Sequence, residues 1–402
     1  MNILFVTQYF YPEEFRGNDI VFDWIKRGNN VTVLTAIPNY PSGKTYKGYG
    51  FFKKRKEMVN GVNVIRVPVI TRGNASGIRL MLNYLSFVIS GSSYGFYLAL
   101  TKKYDCVFVQ QLSPVTIALP GIVVKKIKKI PLYLWVLDLW PESLTSAGDI
   151  NNKFILIFFE KIVRFIYHNS EKILISSKGF KYSICKKGDF ENKILYFPNW
   201  AEDIYTQKLN YSIPPLPDGF IIMFAGNIGE AQNFETVLEI SKKLKYNKEI
   251  KFVFLGDGRK KRWVEEFILR EKLHETVFCL GRFPLKLMPA FFEKADVMLA
   301  SLKDEEIFNL TLPAKVQAYM MSKKPIIGLM NGEGMELINE SKCGYCVSPS
   351  NIDGFIECVT MMKNMNKNEL QQLGENGFDF AMRYFNKVTI MDKFHRLIVS
   401  SR

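Results

Sequence analysis

The segment Ser301 to Met321, SLKDEEIFNLTLPAKVQAYMM, carries three acids, Asp304, Glu305 and Glu306, up to a stretch that opens with Pro313 and Lys315. Proline suits the first turn of a helix, whose free amides attract anions, and a lysine two residues on adds a positive charge. The pair reads as a phosphate cradle. Ionised carboxylates only accept hydrogen bonds and hydroxyls donate them, so the acids suit a ribose or a sugar. Upstream, three glycine-bearing turns each follow a β-rich run: Phe224-Ala225-Gly226-Asn227-Ile228-Gly229, Leu255-Gly256-Asp257-Gly258 and Leu280-Gly281-Arg282-Phe283-Pro284. One such turn often carries Gly for shape alone. Three in register point to a ligand approached by backbone amides at the carboxyl ends of parallel strands.

Other reactive residue types form no set. His168, His274 and His395 sit in no recognised motif. Six cysteines are too few and too unevenly spaced to frame a chain of 402 residues, and Cys343 and Cys346 make a lone CxxC without the partners of a four-ligand zinc site. Small buried thiols in a reducing cytoplasm are expected. The opening MNILFVTQYFYP lacks a basic leader and a small-residue cleavage site and reads as a buried strand.

The elements that must position these turns alternate from end to end, β-rich runs with helical periodicity, which predicts an α/β fold with parallel sheets covered on both faces. In the first half the strands fall at Ile3 to Thr7, Val31 to Thr35, Val62 to Val67, Cys106 to Gln110, Leu132 to Leu137, Ile173 to Ser176 and Ile194 to Phe197. Tyr211 to Gly219, YSIPPLPDG, continues neither helix nor central strand and reads as a linker or domain edge. The pattern then restarts with strands at Ile221 to Ala225, Phe252 to Leu255, Val277 to Leu280, Val297 to Ala300, Ile326 to Gly328 and Tyr345 to Val347. Two doubly wound domains are expected.

A composition of 48% hydrophobic and 23% charged residues is that of a globular protein. The net charge of +15 is unevenly placed: residues 1–200 hold 27 Lys and Arg against 13 Asp and Glu, and the remainder 27 against 26. The basic half also carries long apolar stretches, Leu80 to Thr101 without a charge, GIVVKKIKKI from Gly121 to Ile130, and KFILIFFEKIVRFIYH from Lys153 to His168. Polar residues such as Asn83 argue against a membrane span in the first of these. Basic and apolar together suit an anionic membrane surface, and amphipathic packing on the sheet suits the same pattern. Nucleic acid is not an expected partner, since the basic excess accompanies apolar helices and no nucleic-acid-binding signature.

Read in order, GNIGxAQ, LGDG, LGR and a DEExF segment running into LPAKVQAYMMSKKPI, with PNYPxGK at Pro38 to Lys44, LNYLSF at Leu82 to Phe87, DLWPES at Asp138 to Ser143 and FPNW at Phe197 to Trp200, resemble the family 4 glycosyltransferases of the GT-B fold. The WbuB-like branch, associated with bacterial O-antigen and capsule assembly and N-acetyl-fucosamine-type sugars, is the most similar. The resemblance covers nearly the whole chain. It implies two facing Rossmann-like domains with a cleft between them: residues 1–200 for the acceptor and the membrane and 201–380 for a nucleotide-sugar donor. The last periodic segment, Lys387 to Val399, in a C-terminal helix at 381–402, suits packing on either half, back on the first among them.

The resemblance further implies transfer with retained configuration from a donor, UDP-linked by expectation, to a saccharide on polyprenyl diphosphate, at the inner face of the cell membrane, without a metal or other cofactor. It places Gly17, between Arg16 and Asn18, at the donor phosphates, Asp138 near the transferred sugar, and Arg282 and Phe283 at the base. Gly226, Asn227, Gly229, Gln232, Gly256, Gly258, Glu305, Glu306, Pro313 and Lys315 complete the donor side, with Arg16, Asn18, Trp140 and Glu142 on the acceptor side. The chain departs from the family where Asn227 and Gln232 stand at the usual Arg and Lys, and where Ala318 replaces the second glutamate of a Glu-x7-Glu pair. Arg282 and Lys315 are then the expected cations on the diphosphate, with Asp138 steadying the sugar and Glu305 holding it. A nucleotide-sugar 2-epimerase of related fold and a catalytically silent membrane-surface subunit are the competing readings.

Overall fold

The computed structural model describes residues 1–148, 150–200, 203–206 and 211–400. These form two compact units, one built from Met1–Ser176, Phe180–Phe197 and Lys393–Arg402, the other from Ser177–Gly179 and Pro198–Asp392. The boundary expected at 200/201 abuts residues 201 and 202, which lie outside the described set, as do 401 and 402. The Pro-rich stretch Tyr211 to Gly219 belongs to the second unit.

The first unit holds strands β1 (Asn2–Val6), β2 (Asn30–Ala36), β3 (Lys56–Val59), β4 (Val62–Val67), β5 (Cys106–Gln111), β6 (Leu132–Val136), β7 (Lys172–Ile175) and β8 (Ile194–Tyr196). They pair in the order β3-β4-β2-β1-β5-β6-β7-β8, parallel throughout except for β3 against β4. Sequence periodicity missed β3, whose KEMV is too charged and short to read as a strand. The signal was Asn60-Gly61, both at positive φ (48° and 83°), the dipeptide of a tight hairpin. β5 and β6 are buried along their whole length, as expected of strands covered on both faces.

The second unit holds β9 (Phe220–Ala225), β10 (Ile250–Leu255), β11 (Val277–Gly281), β12 (Val297–Ser301), β13 (Ile326–Leu329) and β14 (Gly344–Val347), all parallel, in the order β11-β10-β9-β12-β13-β14. Each strand lies where the sequence placed it. Both sheets reverse their winding direction once, between β1 and β5 and between β9 and β12, and in such sheets ligands bind beyond the carboxyl ends at that reversal.

The terminal helix Lys387–Ser400 crosses from one unit to the other along its own length. Its Phe394 is 2% exposed and packs on Trp24, Phe108 and Phe197 of the first unit, with ring centroids 5.6, 5.1 and 4.6 Å apart. Burying such a ring contributes about 2 kcal/mol or more, which anchors the last turns on the β1/β5 side of the sheet.

Candidate functional site

At the β9/β12 reversal the three glycine turns lie side by side. Gly226 N–H donates to Leu255 O (2.9 Å) and Gly256 N–H to Gly281 O (2.8 Å), so the ends of β9, β10 and β11 form one row. A side chain at Gly256, whose φ is +154°, would put Cβ 1.8 Å from Gly226 O, so only glycine allows this approach. A Cβ at Gly258 would fall 2.3 Å from Ile228 O and 2.7 Å from Asn227 Oδ1. The β12 side is tied in by Ser301 Oγ donating to Gln232 O (2.7 Å) and Lys303 N–H to Ala231 O (2.9 Å). Tyr319, on the helix Ala314–Met321, both donates to and accepts from the backbone of Ala225 (3.1 and 3.0 Å), locking that helix onto the row.

Lys315 lies in the first turn of the same helix, after Pro313 at its N-cap. Part of its stem reaches the surface, yet its Nζ is enclosed and has no hydrogen-bond partner. The ammonium sits 3.8 Å from the centroid of the Phe224 ring, beside Gly226. Burial alone pulls it down to about 7. An enclosed cation with no partner is costly unless an anion completes it, and the exposed Gly226 leaves room for one there.

The other residues expected on the donor side are differently placed. Asn227 is exposed at the rim. The Gln232 side-chain carbonyl accepts from Gly229 N–H (3.2 Å), closing its own turn. Arg282 is exposed directly after the glycine row, whereas Phe283 turns inward onto Phe291 (4.7 Å) and the apolar core. Glu305 caps the short helix Glu306–Asn309 through its backbone and is half-buried; Glu306 is exposed. Asp304 accepts from Asn309 Nδ2 (2.9 Å) and also from Asn331, which hold it below the usual carboxylate range.

The β1/β5 reversal has its own close approach. Gly17 is the second residue of the helix Arg16–Lys26, and a Cβ there would fall 2.1 Å from Gln110 Oε1 and 3.0 Å from Phe5. Gln110 Oε1 also accepts from Thr7 Oγ1 (3.2 Å). The residues around Gly17 are structural in their contacts: Asn18 accepts from Tyr11 N–H (3.2 Å) and donates to Glu13 O (2.7 Å), and Arg16 has an interaction of its own.

Asp138 follows β6. Ser143, Ser113 and Trp140 donate to its carboxylate, and burial nonetheless outweighs them and raises it above the ordinary range. Trp140 is 4% exposed, its Nε1 on Ser113 Oγ (3.2 Å) and its ring against Phe159, so it offers no open face to an acceptor. Glu142 is engaged by Ser183 Oγ (2.6 Å) and by the nearly buried Lys187. Trp140 and Glu142, expected on the acceptor side, are thus engaged within the first unit, the indole buried against Phe159 and the half-buried Glu142 paired with Lys187.

Sequence reasoning missed a second cluster in this unit. Glu13 is 1% exposed, accepts from Asn39 and Tyr40 N–H (2.9 and 2.7 Å), and is pushed up by burial to about 7. Arg72 Nη1 donates to Tyr9 Oη (2.6 Å). Only the PNYPxGK motif pointed there. Among the described residues no group of three His, Cys, Asp or Glu could hold a metal, and no helix is long and apolar enough to cross a membrane.

Residues 211–380 match the family of glycosyl transferases group 1. Curated relatives include the probable glycosyltransferase WbjE of Pseudomonas aeruginosa, 25% identical over 54% of this chain and 57% of that protein. They also include WcaI of Escherichia coli K12, a putative colanic acid biosynthesis glycosyl transferase, 24% identical over 73% of this chain and 74% of that one. Among solved structures, Alr3699/HepE of Anabaena in complex with UDP superposes with a TM-score of 0.69 at 13% identity, covering 100% of both chains. The chain therefore has the GT-B fold, with its glycosyl transferases group 1 segment at residues 211–380.

Proposed function

We propose that the protein is a glycosyltransferase that moves a sugar from a UDP-linked donor, held by the second unit, to a lipid-linked saccharide held by the first. The observation that carries this reading is the enclosed, unpartnered Lys315 ammonium beside Gly226, at the reversal point of a parallel sheet. A nucleotide diphosphate supplies the anion that this cation lacks, and the open amides after Pro313 add donors. Relatives named as glycosyltransferases and a UDP-bound neighbour of the same fold support the choice of donor.

In this mechanism Lys315, Arg282 and the open amides after Pro313 stabilise the departing diphosphate, and the leaving phosphate oxygen takes the acceptor's proton as attack proceeds on the same face, so configuration is retained. Asp138 orients a sugar hydroxyl or steadies charge on the ring, and Glu305 holds the donor sugar. No metal takes part. An N-acetylated amino or deoxy sugar such as N-acetyl-L-fucosamine, and an acceptor on polyprenyl diphosphate used in O-antigen or capsule synthesis, follow from the WbuB-like resemblance.

The first unit supports a position on the inner membrane face. Its helix Gly77–Thr101 exposes Ile78, Met81, Leu85 and Ile89, its helix Lys153–His168 exposes Phe154, Ile157 and Phe158, and Lys126, on the intervening basic helix Leu119–Lys128, lies over Phe165 at 4.7 Å. The deciding experiment is release of UDP from UDP-sugars with and without a polyprenyl-diphosphate saccharide, in the presence of a chelator. Acceptor-dependent release is expected; release without acceptor, or its loss on chelation, overturns the reading.

A further inference from the structure

Arg72 follows β4 and enters a shell of aromatic rings. Its guanidinium lies 5.2 Å from the centroid of Tyr40 and 5.8 Å from that of Tyr9, and it donates to the Tyr9 hydroxyl at 2.6 Å. Tyr9, Phe15 and Tyr40 pack on one another with centroids 5.1 to 5.5 Å apart. The Arg72 backbone is fixed by Asn39 Oδ1 (3.2 Å), and the Asn39-Tyr40 backbone in turn by the buried Glu13 carboxyl. Among the described residues no carboxylate pairs with Arg72, and the nearby Glu13 is committed to the two amides on its Oε1 side.

The cation is therefore held in place by a hydroxyl and ring faces, with part of it and of Tyr40 open to solvent. That is the construction of an oxyanion subsite: a preorganised fork of N–H donors beside one exposed ring, that of Tyr40. We infer that Arg72, oriented by Tyr9 and flanked by Tyr40, binds an anionic group of the acceptor. This rests on the reading of the first unit as the acceptor side. The oxyanion has two sources, the phosphate of the lipid carrier or a carboxylate on an acidic sugar.

Binding is measured by calorimetry on the full chain without any nucleotide sugar, using farnesyl diphosphate, farnesol and glucuronic acid as probes. Because no turnover is read, the outcome is independent of whether the chain transfers sugar. Farnesyl diphosphate is expected to bind the wild type and to bind R72Q about tenfold more weakly, the scale of one charge-assisted contact; glucuronate bound in its place, and lost in R72Q, supports the subsite with the sugar as source. Y9F, which keeps the charge and frees only its orientation, is expected to lose about threefold and guards against a folding defect in R72Q. Equal affinity in wild type and R72Q, equal binding of farnesol and farnesyl diphosphate, or no binding of either anion to the wild type overturns the proposal.

Discussion

The Lys315 ammonium lies 3.8 Å from the centroid of the Phe224 ring, with the last residue of β9 and the open Gly226 turn beside it. A cation over a ring face gains some attraction, but the ring cannot accept the N–H donors that water or an anion would. The free protein thus holds an enclosed amine without an acceptor for its N–H donors.

Lys315→Met is expected to stabilise the free protein and to weaken, without abolishing, its binding of UDP. With the folded amine near 7 and the unfolded one near 10.5, the unfolded chain binds more protons between those values. The penalty of burial is therefore complete below about pH 7 and fades as pH rises toward 10.5. Thermal unfolding near neutral pH should show the variant ahead by about 1–3 kcal/mol, and level with wild type at high pH. A less stable variant at neutral pH would contradict the burial argument.

Binding of UDP should draw a proton onto Lys315. Titrations at about pH 8 in two buffers of different ionisation heat are expected to report uptake of up to one proton in the wild type and none in Lys315→Met, with wild-type affinity falling as pH rises above neutral. Identical heats in both buffers would detach the lysine from the diphosphate.

Gly17→Ala forces a methyl to within 2.1 Å of Gln110 Oε1, a cost of about 1–3 kcal/mol by overpacking. Adding Gln110→Ala should recover most of that, because it removes the colliding atoms while the 3.0 Å approach to Phe5 persists. Urea unfolding of both single variants and the double variant measures the coupling.

Asp138→Asn keeps the size of a side chain fixed by Ser143, Ser113 and Trp140 but removes its charge. Turnover is expected to fall by about a hundredfold with donor affinity little changed, the pattern of an interaction made mainly in the transition state. Steady-state kinetics showing equal losses in both would assign the residue to ground-state binding.

Phe154→Ser with Phe158→Ser should weaken sedimentation of the full chain with phosphatidylglycerol vesicles, and raised salt should weaken the wild type. Both rings are well exposed, at 84% and 60%, so folding stability is expected to be unaffected. Wild-type protein that fails to sediment at low salt would leave these helices as packing elements only.

Much of the fold was legible because parallel strands buried on both faces, such as Leu132–Val136 and Phe220–Ala225, advertise themselves as apolar runs bounded by turns. The short edge strand Lys56–Val59 and the helix Glu333–Ser341 were not read, since neither presents a long apolar stripe. Of the residues expected on the donor side, the glycine row and Lys315 were visible as residue types at strand ends. Of those expected on the acceptor side, Trp140 and Glu142 sat in a recognisable motif, yet their polar atoms are engaged by Ser113 and by Lys187.

By itself, then, the sequence determined two parallel α/β sheets and the positions of the turns after their strands, because local periodicity and glycine placement are properties of neighbouring residues. Only the tertiary structure decided that Lys315 has no partner, that Gln232 closes its own turn, and that Arg72 meets Tyr9 across 63 positions of chain. Hydrogen-bond partners and desolvation depend on groups that folding brings together from far apart, and no local pattern encodes them.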